Sequence, residues 1–256
     1  MTDKTFAGQV AIVTGAGKGT GGVGQAIALR LAQGGAKVMV ADVDPKAAET
    51  AAEVKAATGA DTLHYTGSLA EENNVKALVG ATLLAWGRID ILINNAGGGI
   101  IRPFLEHDAA SFTETLARNL WTAIWCCHKV LPSMVAQNYG RIVNIGADSL
   151  RTGIPNHAGY NAAKGGVVGM SVALARDFAA NNITINTVSP CLINTPRFRA
   201  LRESDPKLAR RFEEVIPKGR GVEIDEVVDA VCFLAKRETG FITGQEISIN
   251  GGSAMP

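Results

Sequence analysis

The chain has 256 residues, with 25 Lys and Arg against 24 Asp and Glu, a net charge of +1. Apolar residues make up 46% and charged residues 19%, which excludes a disordered chain and lets a chain of this length bury about 70–75% of its unfolded surface. Near-neutral charge argues against a dedicated nucleic-acid or membrane-surface binder, and Cys126, Cys127, Cys191 and Cys232 have no disulfide-framework or zinc spacing.

The first expected strand is QVAIV at 9–13, then the glycine-rich TGAGKGTGGVG at 14–24 and the helix QAIALRLA at 25–32. Strands KVMVA at 37–41 and DTLHY at 61–65 follow. Val75, Leu78, Val79, Thr82, Leu83 and Trp86 recur at offsets of three and four, an amphipathic helical stripe. Strand IDILI at 89–93 precedes a second stripe, Phe112, Leu116, Leu120, Ala123, Cys127, Val130 and Met134. Then come the strands RIVNI at 141–145, ITINTV at 183–188 and EISI at 246–249. Several strands are apolar on both faces, as in a parallel sheet covered by helices. This alternation predicts a doubly wound α/β sheet in one domain spanning 1–256. Residues 191–218, with four prolines in and beside them, are expected to be the least regular stretch and a lid. The start has no basic segment leading into an apolar one, and no run of about 18 apolar residues occurs. The expected setting is a reducing compartment, most simply the cytoplasm.

Two patterns carry chemistry. Glycines between a strand and a helix let the backbone approach a pyrophosphate, while the helix N-terminus supplies amide donors. Asp42 ends the second strand, where a carboxylate accepts hydrogen bonds from both ribose hydroxyls and repels a 2′-phosphate. NAD is therefore expected over NADP, with Lys18 pulling weakly the other way. Tyr160 and Lys164 stand at i, i+4 in HAGYNAAKGG. A free phenol ionises near pH 10, and a neighbouring ammonium lowers that value, so the pair can move the proton of an alcohol.

The glycine loop, Asp42, NNAG at 94–97, Asn119, YNAAK at 160–164, SPCLINT at 189–195 and the terminal FITGQEISINGG together resemble the short-chain dehydrogenase/reductase family over the full chain. The resemblance implies a Rossmann-type sheet of about seven strands, often a homotetramer, and oxidoreduction of an alcohol/ketone pair. It makes Tyr160 the acid/base and Lys164 the group that binds the nicotinamide ribose and lowers the Tyr160 pKa. Asn119 holds a water in the proton relay. Asn95, Ala96, Gly97 and Ile193 line the cofactor, with Thr195 near its pyrophosphate or carboxamide end.

Three departures from the family pattern stand out. The loop holds three extra residues, so Gly15, Gly22, Val23 and Gly24 are aligned with the phosphate-binding turn. Ser68, beside Leu69, occupies the place of an aspartate that meets the adenine. The family serine, thirteen residues before the tyrosine, falls on Ala147. On an extended segment Ser149 shares a face with residue 147 and is a candidate for that role, with Asp148 or a water as alternatives.

The stretch 197–214 holds six Arg and Lys against four Asp and Glu, either a receiver for an anionic substrate or a solvated helical face. Asp148 and Arg151 match, faintly, family members that act on alicyclic acyl thioesters. His157 either touches substrate or bonds locally, and Cys126–Cys127 and Trp121–Trp125 read as core or subunit contacts. Two functions compete: an NAD-dependent secondary-alcohol dehydrogenase, or a non-catalytic NAD-binding sensor or scaffold, for which Ala147 speaks.

Overall fold

The computed structural model describes residues 4–17 and 22–255. Its seven strands are β1 (Val10–Thr14), β2 (Lys37–Asp42), β3 (Thr62–Thr66), β4 (Ile91–Asn94), β5 (Gly140–Ile145), β6 (Ile183–Pro190) and β7 (Glu246–Ile249). They form one parallel sheet in the order β3-β2-β1-β4-β5-β6-β7. Each lies within two residues of the expected run, because β-branched segments buried on both faces suit the middle of a parallel sheet. The order reverses direction between β1 and β4, and the crevice beyond their carboxyl ends is the switch point where such sheets bind ligands.

Helices cover both faces. On one side α1 (Val23–Gln33), α2 (Ala47–Thr58) and α10 (Ile224–Ala235) pack on Ala11, Val13, Val38, Val40, Ile91, Ile93 and Val143. On the other, α3 (Glu72–Trp86), α5 (Thr122–Ala136) and α7 (Ala158–Phe178) pack on Ile12, Met39, Leu92, Ile142 and Ile185. Alternate strand residues therefore serve opposite cores, as the pleat requires. A buried polar chain crosses the sheet. Asn94 Nδ2 donates to Asn144 Oδ1 at 2.8 Å, Asn144 Nδ2 to Ser171 Oγ at 2.7 Å, and Thr187 Oγ1 to the same hydroxyl at 3.2 Å.

Two local expectations change. The stripe from Phe112 to Met134 is not one continuous α-helix: α4 (Ala109–Leu116) and α5 are joined by a π turn over Ala117–Trp121. Such turns open the helical ladder and often mark functional positions. The stretch expected to be irregular folds into α8 (Pro196–Ser204) and α9 (Pro206–Glu213). Pro196 and Pro206 start these helices behind the caps Thr195 and Asp205, and the first helical position is where proline costs nothing. The remaining helix, α6 (Ser149–Thr152), is a single turn. No described helix is long and apolar enough to cross a membrane.

Candidate active site

The carboxyl ends of β1 and β4 meet over glycines. A Cβ on Gly15 (φ +63°) would lie 2.6 Å from Ala96 Cα, and one on Gly24 would lie 2.3 Å from the Gly15 carbonyl oxygen. Both positions exclude a side chain, so the loop backbone packs directly on α1. Gly22 caps α1 in the left-handed conformation and Val23 starts it, two residues before the expected helix. Gly22, Val23 and Gly24 thus stand at the helix N-terminus that a phosphate would face. Lys18 and the rest of 18–21 lie outside the described residues.

Thr14 fastens the two loops, its Oγ1 donating to the Ile93 carbonyl and accepting from the amides of Asn95 and Ala96. Asn95 Nδ2 closes the joint on the carbonyls of Thr14 and Gly15, at 3.1 and 2.8 Å. Sequence reasoning missed Thr14, although a hydroxyl at the end of a strand before a glycine loop is the signal for it. Asp42 is buried at the tip of β2. Its Oδ2 accepts from the Gly17 amide at 2.7 Å and its Oδ1 from the Asp44 amide at 2.9 Å. Ser68 and Leu69 follow β3 on the same edge, where the Ser68 carbonyl accepts from Asn74 Nδ2. At the end of β6, Ile193 bridges to Val222, and Thr195 Oγ1 caps α8 by accepting from the Phe198 amide. These residues fit a dinucleotide. Side-chain-free positions clear the turn, a helix N-terminus faces it, and a fixed carboxylate stands where a ribose would lie.

Tyr160 and Lys164 project from the first turns of α7. Lys164 Nζ donates to the Ile145 carbonyl at 2.7 Å and lies 5.8 Å from the centre of the Tyr160 ring. Gly99 lets the chain pass the tyrosine: a Cβ there would sit 2.8 Å from Tyr160 Cδ2. Asn119, in the π turn, donates to the Gly98 carbonyl at 3.0 Å and the Thr115 carbonyl at 2.8 Å, and accepts from the Gly98 amide at 3.1 Å. A Cβ on Gly97 would lie 2.6 Å from Asn119 Oδ1 and 3.3 Å from Lys164 Nζ, so these three groups converge.

The electrostatics correct one expectation. Burial pushes the Tyr160 phenol up to about 12 instead of the lysine drawing it below 10. Burial also lowers the Lys164 ammonium to about 8. Removing either group from water favours its neutral form, and burial is the cause of both shifts.

The extended path expected to carry Ser149 is not found. The chain does not stay extended after β5. Asp148 turns it into α6, and Ser149 Oγ donates to Asn161 Oδ1 at 2.6 Å while Asn161 Nδ2 returns to the Ser149 carbonyl at 2.8 Å. Among the described residues no hydrogen bond joins Ser149 to Tyr160. The pair clamps the loop to α7. Asn161 carried no sequence signal, since its partner lies on another element. Asp148 is buried and accepts from Asn250 Nδ2 at 2.8 Å and from Ser253 Oγ. Arg151 pairs with Glu246 at 3.1 Å. Both side chains tie the loop to β7 and the tail behind it. His157 Nδ1 lies 2.8 Å from the Pro155 carbonyl, its ring edge-on to Tyr160 at 6.1 Å. In the basic stretch, Arg202 pairs with Glu213 at 2.5 Å and Arg210 with Glu214 at 2.8 Å, contacts made within the helix pair itself.

Comparison with known proteins agrees with this geometry. A family model described as enoyl-(acyl carrier protein) reductase matches residues 17–254. The 2,3-dihydroxy-2,3-dihydro-p-cumate dehydrogenase of Pseudomonas putida is 49% identical over 249 residues, covering 97% of this chain and 95% of that one. The 1,6-dihydroxycyclohexa-2,4-diene-1-carboxylate dehydrogenase of Acinetobacter baylyi is 34% identical, covering 96% and 97%. The crystal structure of NAD+-bound xylitol dehydrogenase superposes with a TM-score of 0.89 at 32% identity, covering 96% of this chain and 99% of that one. The chain belongs to the short-chain dehydrogenase/reductase family. It is a nicotinamide-dependent oxidoreductase that interconverts an alcohol and a ketone, and the non-catalytic reading is set aside.

Proposed function

We propose that the protein oxidises one of two neighbouring hydroxyls on a partly unsaturated ring, with NAD+ as acceptor. The observation that carries this is the 49% identity, over nearly the whole chain, to an enzyme whose name specifies such a diol; the relative from Acinetobacter baylyi is named for a second one. Tyr160 is the base that takes the hydroxyl proton, and Lys164 holds the nicotinamide ribose and keeps a positive charge beside the phenol. A bound oxidised nicotinamide supplies the hydride acceptor and a further positive charge near Tyr160. Asn119 commits its side-chain amide to Gly98 and Thr115, so the relay water is assigned to its main-chain carbonyl, whose second lone pair is available beside the bond it accepts from Thr122 Oγ1 at 3.2 Å. Ser149 and Asn161 position the loop. Gly15, Gly22, Val23 and Gly24 receive the pyrophosphate, and Ser68 and Leu69 border the adenine. Asn95, Ala96, Gly97, Ile193 and Thr195 flank the nicotinamide half. Oxidation of a cyclohexadiene diol gives a hydroxydienone that enolises to an aromatic catechol, which pulls the reaction forward. The test is NADH formation from a panel of ring diols, ring mono-alcohols and open-chain secondary alcohols. Ring diols should have the highest kcat/KM, and a clear preference for an open-chain alcohol would overturn the reading.

NAD over NADP rests on Asp42. Its carboxylate is held toward the loop by the amides of Gly17 and Asp44, so it would face a 2′-phosphate without room to turn away. Asp42→Ala should narrow the NAD/NADP ratio of kcat/KM by roughly tenfold or more, since about 1.4 kcal/mol of repulsion corresponds to a factor of ten. A wild type that prefers NADP+, or an unchanged ratio in the variant, contradicts it.

The homotetramer and the cytoplasm belong to the same proposal. Support for assembly comes from the apolar face shared by α5 and α7, a groove of about 750 Å³ lined by Ile124, Leu131, Val135, Met170 and Leu174 among others.

A further inference from the structure

The segment after β5 runs along the start of α7 and is pinned at two points. The Ile145 carbonyl accepts from Lys164 Nζ, and Ser149 exchanges two hydrogen bonds with Asn161. Position 147 lies between these pins, whose α7 partners are Asn161, next to Tyr160 in the chain, and Lys164, one helical turn beyond it. It carries only a methyl group, and Ala147 is buried. Its neighbours are committed elsewhere. The Asp148 carboxylate is held by Asn250 and Ser253, and the Ser149 hydroxyl by Asn161. A side chain at Gly146 would run into Ser189 Oγ, 2.2 Å from its Cβ, and that hydroxyl donates to Glu246 at 2.6 Å. Among the described residues 146–149, no side chain is left to donate to an oxygen bound beside Tyr160.

An alcohol under oxidation needs such a donor. The carbinol C–H bond breaks and its electron pair leaves with the hydrogen as hydride to the nicotinamide. The O–H proton passes to the Tyr160 phenolate, and the C=O bond forms. While the proton leaves, the oxygen carries alkoxide charge, which an aimed hydrogen bond stabilises. We infer that the substrate supplies this donor itself. The neighbouring hydroxyl of a vicinal diol lies over the Ala147 methyl and donates to the reacting oxygen, and it keeps its own proton throughout. Ala147 thereby selects diols over simple alcohols. This inference rests on the ring-diol reading above and adds the origin of its specificity.

The experiment compares kcat and KM for a ring diol and for the analogue lacking the neighbouring hydroxyl, in wild type and in Ala147→Ser. In wild type the analogue should lose roughly 100-fold, mainly in kcat. A hydroxyl withdraws electrons and slows hydride departure, so its removal alone would speed the reaction; a fall therefore reports a lost contact. Ala147→Ser, which puts a donor on the protein, should raise kcat for the analogue by about tenfold or more and lower kcat/KM for the diol, whose own hydroxyl would meet the new one. The wild-type comparison needs no variant, so a misfolded Ala147→Ser would not spare the inference. Analogue and diol turned over alike by wild type, or an equal gain on both in Ala147→Ser, would overturn the inference while leaving the diol reading intact. If open-chain alcohols react and ring diols do not, both fall.

Discussion

Replacing Tyr160 by Phe is expected to lower kcat by on the order of 10³-fold while leaving the NADH dissociation constant within about twofold. The ring packs against Gly99, and Phe preserves that contact. Only the oxygen that carries the substrate proton is lost. The titratable groups described around it are engaged elsewhere: Asp148 is turned to Asn250 and Ser253, Lys164 donates to Ile145, and His157 Nδ1 lies against the Pro155 carbonyl. Burial pushes the phenol up to about 12 in this chain alone, Lys164 included, so the further positive charge of an oxidised cofactor would have to bring it toward neutral pH. Steady-state kinetics and a fluorescence titration with NADH check the split. A variant that retains a tenth of wild-type kcat would remove Tyr160 from the role of base.

Lys164→Met should damage both steps, lowering kcat by roughly 100-fold or more and weakening NADH by about tenfold, because one ammonium serves both. Its pH signature is distinctive. Burial lowers its pKa to about 8, so the charge is present at pH 7 and lost as the pH rises through 8. NADH affinity in wild type should be flat up to pH 7.5 and fall above 8; in Lys164→Met it should be weak and flat throughout. Stability runs the other way. The folded-state value lies below the ordinary 10.5, so between the two the unfolded chain binds more protons. The cost of burying the charge is therefore full below pH 8 and disappears as the pH rises toward 10.5. Lys164→Met should make the apoprotein more stable than wild type at pH 7, by on the order of 1–3 kcal/mol, with the gap closing toward pH 10. Urea unfolding at both pH values checks it; a less stable variant at pH 7 would contradict the assignment.

The sheet was legible because runs such as VAIVT and GRIVNI are buried on both faces, a demand few other elements make. The glycine loop and Asp42 were legible for a steric reason: Gly15 and Gly24 admit no side chain, and that need shows directly in the residue type. The loop after β5 was not. Its course is set by Asn250 and Ser253, more than a hundred residues beyond Asp148, and by Asn161 on α7. No local pattern reports partners so distant, so a segment read as extended turns into a helix at Ser149. Pro196 and Pro206 misled in the other direction. Proline breaks a helix interior but starts a helix well, and the capping Thr195 and Asp205 decide which applies. The sign of the Tyr160 shift depends on burial, which spacing alone does not convey.

One measurement bears most directly on the central claim, that this chain moves hydride from a ring carbinol with Tyr160 as base. A ring diol deuterated at both carbinol carbons is oxidised by wild type with NAD+, and the reduced cofactor is isolated and analysed for label. One deuterium per turnover at C4 of the nicotinamide, with the unlabelled carbinol reacting faster, is the predicted result. Reduced cofactor that carries no label, or a diol left unchanged while NAD+ remains oxidised, would contradict the account; the second deuterium leaves to solvent when the product enolises.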